Sequence, residues 1–121
     1  MRRVSERPDV AYKVLTADQV AALERDGSFA GAPVDLADGF VHMSTAAQLT
    51  ETVERHFAGQ PGLHVAAVDL GALGSELKWE ESRGGALFPH LYGPLSLGAV
   101  IAHGPLERDD AGAVQPPVTG G

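Results

Sequence analysis

The chain is expected to fold as one small α+β domain, mostly short strands with two helices between the early ones. Three observations point there. Its 121 residues suit one domain around one core, and a 44% hydrophobic content is that of a globular protein. Two capping-box sequences each open an amphipathic stretch. Several short runs rich in β-formers surround them, and no internal repeat is visible, which together suggest strands and helices segregated in one α+β unit.

Residues 1–9 are polar and charged and read as a loose lead-in to a domain spanning 10–107. Val10 to Leu15 reads as a first strand. Thr16, with Gln19 three residues on, caps a helix to about Arg25 that turns Val20 and Leu23 inward and stops at Gly27. Ser28 to Leu36 has no clear period, contains Gly31 and Pro33, and reads as a loop. After the Asp38-Gly39 turn, Phe40 to Ser44 forms a short strand, with Phe40, His42 and Ser44 on one face and Val41 and Met43 on the other. Thr45 and Gln48 cap a second helix to about Phe57. Its inner stripe is Leu49, Val53 and Phe57, and Glu51 can pair with Arg55 outside. Leu63 to Leu70 is nearly continuous apolar sequence, as in a central strand. Leu77 to Glu80 is a further strand with Leu77 and Trp79 inward, and Leu97 to His103 is the last. With its prolines and glycines, 108–121 reads as a flexible tail.

Composition narrows the chemistry. The chain has no cysteine, hence no disulfide framework and no thiolate nucleophile. No apolar run nears the ~20 residues that span a bilayer, so no membrane partner is expected. The two early arginines are not followed by an apolar stretch, so no secretory signal is expected and cytoplasmic residence is the default. Nine Lys and Arg against sixteen Asp and Glu give a net charge of −7, which disfavours a broad face for nucleic acid. A small anionic molecule held in a local pocket fits better. Dinucleotide, phosphate-loop, nucleophile-elbow and HExxH signatures are absent, and the histidines show no metal-ligand spacing.

The densest polar cluster is Trp79 to Leu95, which holds Glu80, Glu81, Arg83, His90 and Tyr92 around Gly84-Gly85. A carboxylate beside an aromatic wall such as Trp79 can act as an acid or base, the glycines can admit a ligand or let the segment move, and Tyr92 can stack or donate its hydroxyl. His90 and Tyr92, two apart on a loop bounded by Pro and Gly, are expected to point the same way. His42 and Ser44 lie on one face of a strand that ends at a helix N-terminus, where Ser44 or Thr45 could cap the helix or help cradle an anion. Arg55 and His56 close that helix. Helical geometry sets them ~100° apart, so at most one is well aimed at a given site.

The blocks Asp38 to Thr45, Arg55 to Gly59 and Trp79 to Leu95 resemble a bacterial family of small proteins catalogued as domain of unknown function 952, over roughly residues 11–107. More distantly, Phe40-Val41-His42-Met43-Ser44, a helix, Arg55-His56 and an apolar strand resemble the core of the RNA 2′-phosphotransferases. That resemblance implies an ADP-ribosyltransferase-like fold and NAD as a possible cofactor. It also implies His42 and Ser44 against a nucleotide and Arg55 as the phosphate-directed cation. The His-Gly pair of the phosphotransferases' first strand has no counterpart in Tyr12-Lys13-Val14-Leu15, and there is no room for their RNA-binding module.

The expected site is therefore a cleft with His42, Ser44, Thr45 and Arg55 on one wall and Trp79, Glu80, Glu81, Arg83, His90 and Tyr92 on the other. Three functions fit it. One is an NAD-dependent transferase in which a glutamate activates an acceptor and Arg55 stabilises phosphate charge, with His42 as a further catalytic group. The others are a ligand-binding module without catalysis and a protein-interaction surface built on the aromatics and Arg83.

Overall fold

The computed structural model describes residues 8–117, with the Arg83 side chain excepted. Of the expected lead-in, 1–7 lie outside this range, as do 118–121 of the tail. The elements run β1 (Val10–Thr16), α1 (Ala17–Asp26), β2 (Ser28–Phe29), α2 (Pro33–Asp38), β3 (Val41–His42), α3 (Ala46–His56) and β4 (Leu63–Asp69). They continue through β5 (Leu77–Glu81), β6 (Leu87–Leu91), β7 (Leu95–Ser96), β8 (Val100–Pro105), β9 (Glu107–Arg108) and β10 (Val114–Gln115). The architecture is α+β, mostly strands with three α-helices among the described residues. No helix there is long and apolar enough to cross a membrane.

Two antiparallel three-stranded sheets carry the fold. One has the order β1-β4-β8 and the other β3-β6-β5, and β2 pairs with β7. The sheets meet at one bridge, where Tyr12 N–H donates to the Ser44 carbonyl at 2.7 Å and Ser44 N–H donates back at 2.9 Å. Strand alternation divides the core around β1. Ala11 and Leu15 face a cluster with Val20 and Leu23 of α1 and with Val41 and Leu91 of the second sheet. Val14 faces the other way, onto Leu49 and Val53 of α3. Both capping boxes form, at Thr16/Gln19 and at Thr45/Gln48.

Several segments depart from the sequence reading. Part of the expected loop 28–36 is helical: α2 begins with Pro33, whose fixed φ suits a first turn, and ends at Gly39 in the left-handed region. β6 is the central strand of its sheet although it contains Pro89, so His90 lies on a strand rather than a loop. The Gly84-Gly85 pair turns the hairpin between β5 and β6, with φ of +66° and +80°. Leu97–Ala99 form a 3₁₀ turn before β8 begins. Part of the expected tail is structured: β9 and β10 pair, Val114 is buried against α3, and its N–H donates to Thr50 Oγ1 at 2.9 Å.

Candidate functional site

A cleft of about 530 Å³ opens beside the Tyr12–Ser44 bridge, bounded by β1, β3, β6, α2 and α3. Its size lies within the ~300–1,000 Å³ of ordinary small-molecule sites. Lys13, His42, His56 and His90 bring basic groups to it, Ser44 and Thr52 bring hydroxyls, and Tyr12, Phe57 and Phe88 bring aromatic surface. Ser44 Oγ and Thr52 Oγ1 lie 2.7 Å apart and hold each other. Burial pushes the Tyr12 phenol above its ordinary pKa.

On one side stands a buried ionic node. Lys13 shares its β1 face with Ala11 and Leu15, so its ammonium is carried inward and requires a counter-charge. Asp35 of α2 supplies it at 2.9 Å. The same carboxylate accepts from Ala32 N–H at 2.8 Å, from His42 N–H at 3.0 Å and from His42 Nδ1 at 2.6 Å. Burial by itself would push the Asp35 carboxyl up. The His42 ring, the Lys13 charge and the His42 N–H outweigh it and hold the group well below the usual carboxylate range. Burial pulls the Lys13 ammonium below its ordinary value, against the opposing pull of Asp35. Gly31 makes room for this packing: its φ is +140°, and a Cβ there would sit 2.8 Å from Asp35 Cβ.

His42 carries a second carboxylate on its other nitrogen, Asp38 Oδ2 at 2.9 Å from Nε2. Directly across the strand pair lies His90, its ring centroid 5.7 Å from that of His42. His90 Nδ1 is bonded to Glu80 Oε1 at 2.8 Å, and the Tyr92 hydroxyl donates to the same oxygen at 2.7 Å. The His90 contact, then that of Tyr92, hold the Glu80 carboxyl below its ordinary pKa, and Glu80 in turn raises that of Tyr92. Phe40 stacks on the His90 ring at 4.0 Å between centroids and leans on His42 at 4.5 Å.

Residues 14–103 match the family described as "Protein of unknown function (DUF952)". The chain belongs to this family. Among solved structures it is similar to the crystal structure of protein CC0527 from Caulobacter crescentus, at 45% identity and a TM-score of 0.80, covering 88% of this chain and 93% of that one. The solution NMR structure of CC0527 is likewise similar, at 45% identity and a TM-score of 0.75, over 88% and 91% of the two chains. No curated protein matches.

In this member of the family, His42, Ser44 and His90 line the common cleft. Glu80 stands behind His90, and Tyr92 behind Glu80, with more than a third of its surface exposed. The other expected residues are elsewhere, for reasons that alternation and helix geometry supply. Trp79 shares the β5 face of Leu77 and packs against the core. Glu81 falls on that same parity at the strand end, exposed and outside the cleft. Arg55 is exposed and pairs with Glu51 at 2.8 Å, and its neighbour His56 reaches the cleft instead. Thr45 caps α3, its hydroxyl accepting from Gln48 N–H. The Arg83 side chain lies outside the described structure. Lys13 and Asp35 escaped the sequence reading. The available signal was a lysine inside an apolar strand, which needs a buried acid somewhere. No group of three or more His, Cys, Asp or Glu that could hold a metal occurs among the described residues.

Proposed function

We propose that the cleft binds a nucleotide or similar phosphorylated small molecule, in an ADP-ribosyltransferase-like arrangement of two antiparallel sheets parting at a bridge. The observation that carries this reading is the meeting of His42, Ser44, His56 and His90 with Tyr12, Phe57 and Phe88 in one concavity. The polar groups suit an anion, and the aromatic surface suits a flat ring. His42 is the natural phosphate contact. Asp38, half-exposed, now occupies its Nε2, and an incoming phosphate can replace that carboxylate while Asp35 keeps Nδ1 in place. In a transferase the cofactor would be NAD. Arg55, paired outside, then yields the cationic role implied by the phosphotransferase resemblance to His42 and His56.

Titration of the protein with AMP, ADP-ribose and NAD, followed by calorimetry and by histidine NMR, tests this. Binding is expected, with the resonances of His42 and His90 moving and with a several-fold gain in affinity for AMP in Asp38→Asn. Flat responses to all three at millimolar concentration would refute the nucleotide reading. Binding of NAD without turnover would favour a binding module over an enzyme.

A further inference from the structure

The two histidines that face each other across β3 and β6 have opposite hydrogen-bond environments. His42 has a carboxylate on each ring nitrogen, Asp35 on Nδ1 and Asp38 on Nε2. Ionised carboxylates only accept, so both contacts are satisfied when the ring carries both protons and is cationic. His90 has one carboxylate, Glu80 on Nδ1, and Nε2 has no protein partner among the described residues. The same Glu80 oxygen already accepts from the Tyr92 hydroxyl, which leaves it no proton to give. His90 Nδ1 must therefore be the donor in the neutral ring, and Nε2 carries the lone pair.

Second, the ring is fixed at one edge and on one face. Its edge is fixed by Glu80, one face is covered by Phe40, and it is about 5% exposed, in the wall of the cleft. The charged groups around it are Glu80 and Lys78 of β5, the latter its direct cross-strand partner and solvent-exposed, and His42 of β3.

We propose that His90 is the proton acceptor of the cleft and His42 its anion contact, with Glu80 and Tyr92 as positioning residues for the His90 ring. This rests on the cleft being a ligand site and names the ligand further: an anionic molecule with a hydroxyl close to its charged group, such as a sugar phosphate. The charged group meets His42 and the hydroxyl meets His90 Nε2. In the proton transfer the ligand O–H bond breaks, its proton passes to Nε2, and the electron pair stays on oxygen, beside the imidazolium that forms. The His90 imidazolium keeps its Nδ1–H on Glu80. A carboxylate placed to fix the tautomer and aim the free nitrogen is what a histidine base requires.

The test reads the histidine tautomers by ¹⁵N NMR in the ligand-free protein at about pH 8, above the ordinary imidazole range. His90 is expected as the Nδ1–H form by about tenfold or more, as a charge-assisted hydrogen bond would enforce. In Glu80→Gln the preference should fall to within a few-fold, since an amide can donate or accept, whereas a merely structural Glu80 would leave it unchanged. An Nε2–H form in the unmodified protein, or an unaltered tautomer in Glu80→Gln, overturns the proposal. Ribose 5-phosphate, added separately, should shift Nε2 of His90, and a hydroxyl-free alkyl phosphate of similar size should not. If the tautomer is as expected and no phosphate binds, the ligand reading fails alone. If phosphates bind and His90 Nε2 does not respond, the proton-acceptor role fails alone.

Discussion

Two carboxylate–histidine pairs stand side by side in this cleft, Asp35–His42 and Glu80–His90, and they are built to different ends. Asp35 is buried and collects a lysine, an imidazole and two backbone N–H groups. It ties α2, β1 and β3 together, so its removal strikes the fold. Glu80 is over a third exposed and collects one imidazole and one phenol on its own sheet. Its removal is expected to leave packing intact and to release only the tautomer of the ring it holds. The same pair of chemical groups thus serves as a structural fastening in one place and as an orienting contact in the other. Burial and the number of donors decide which.

The largest expected effect follows from that difference. Asp35→Ala leaves the Lys13 ammonium and two N–H groups buried without their acceptor, which should cost about 3–5 kcal/mol. Urea unfolding at neutral pH checks it. A loss no larger than that of a surface substitution would erase the distinction between the two pairs.

Acid should reproduce part of this loss without a mutation. The folded Asp35 carboxyl is held well below the usual carboxylate range, so its contribution is complete above the unfolded carboxyl's pKa. As pH falls below about 4, the unfolded chain takes up the proton first and stability declines. The urea midpoint should drop steeply there, and the drop should be shallower in a folded Asp35→Asn variant.

The backbone beneath the node gives a smaller effect. Gly31→Ala would force a side chain into a left-handed φ and set its Cβ 2.8 Å from that of Asp35. A cost of about 1–3 kcal/mol is expected, again from urea midpoints, together with a change in the His42 ring resonances as Asp35 is displaced.

How legible these features were in the sequence depends on range. Capping boxes, helix stripes and strand faces are local, and Thr16, Thr45, Leu49, Val53 and Trp79 sit where spacing alone puts them. The two faces of Phe40 to Ser44 were likewise readable, and His42 and Ser44 do share the cleft. What escaped is non-local. Pro89 argues against a strand by its missing donor, yet β6 is held as a central strand by neighbours on both sides. The short helix α2 offers no period to detect, and nothing within Ser28 to Leu36 announces that Asp35 will meet Lys13, 22 residues away. Arg55, attractive as a cation, is taken by Glu51 one turn back, an i,i+4 pairing that the helix supplies at no cost in packing.

The smallest effect on stability belongs to Glu80→Gln, and it separates the two pairs most sharply. Its partners stay packed without it: His90 under Phe40, and Tyr92 at the surface. The urea midpoint should therefore move little, in contrast with Asp35→Ala. What changes is the proton inventory of the cleft, because a carboxylate permits only the Nδ1–H tautomer of His90 and an amide permits both. The two variants together form the decisive comparison. A fold loss at Asp35 with a spectroscopic change alone at Glu80 means that one carboxylate holds the cleft together while the other decides which nitrogen of His90 carries the proton.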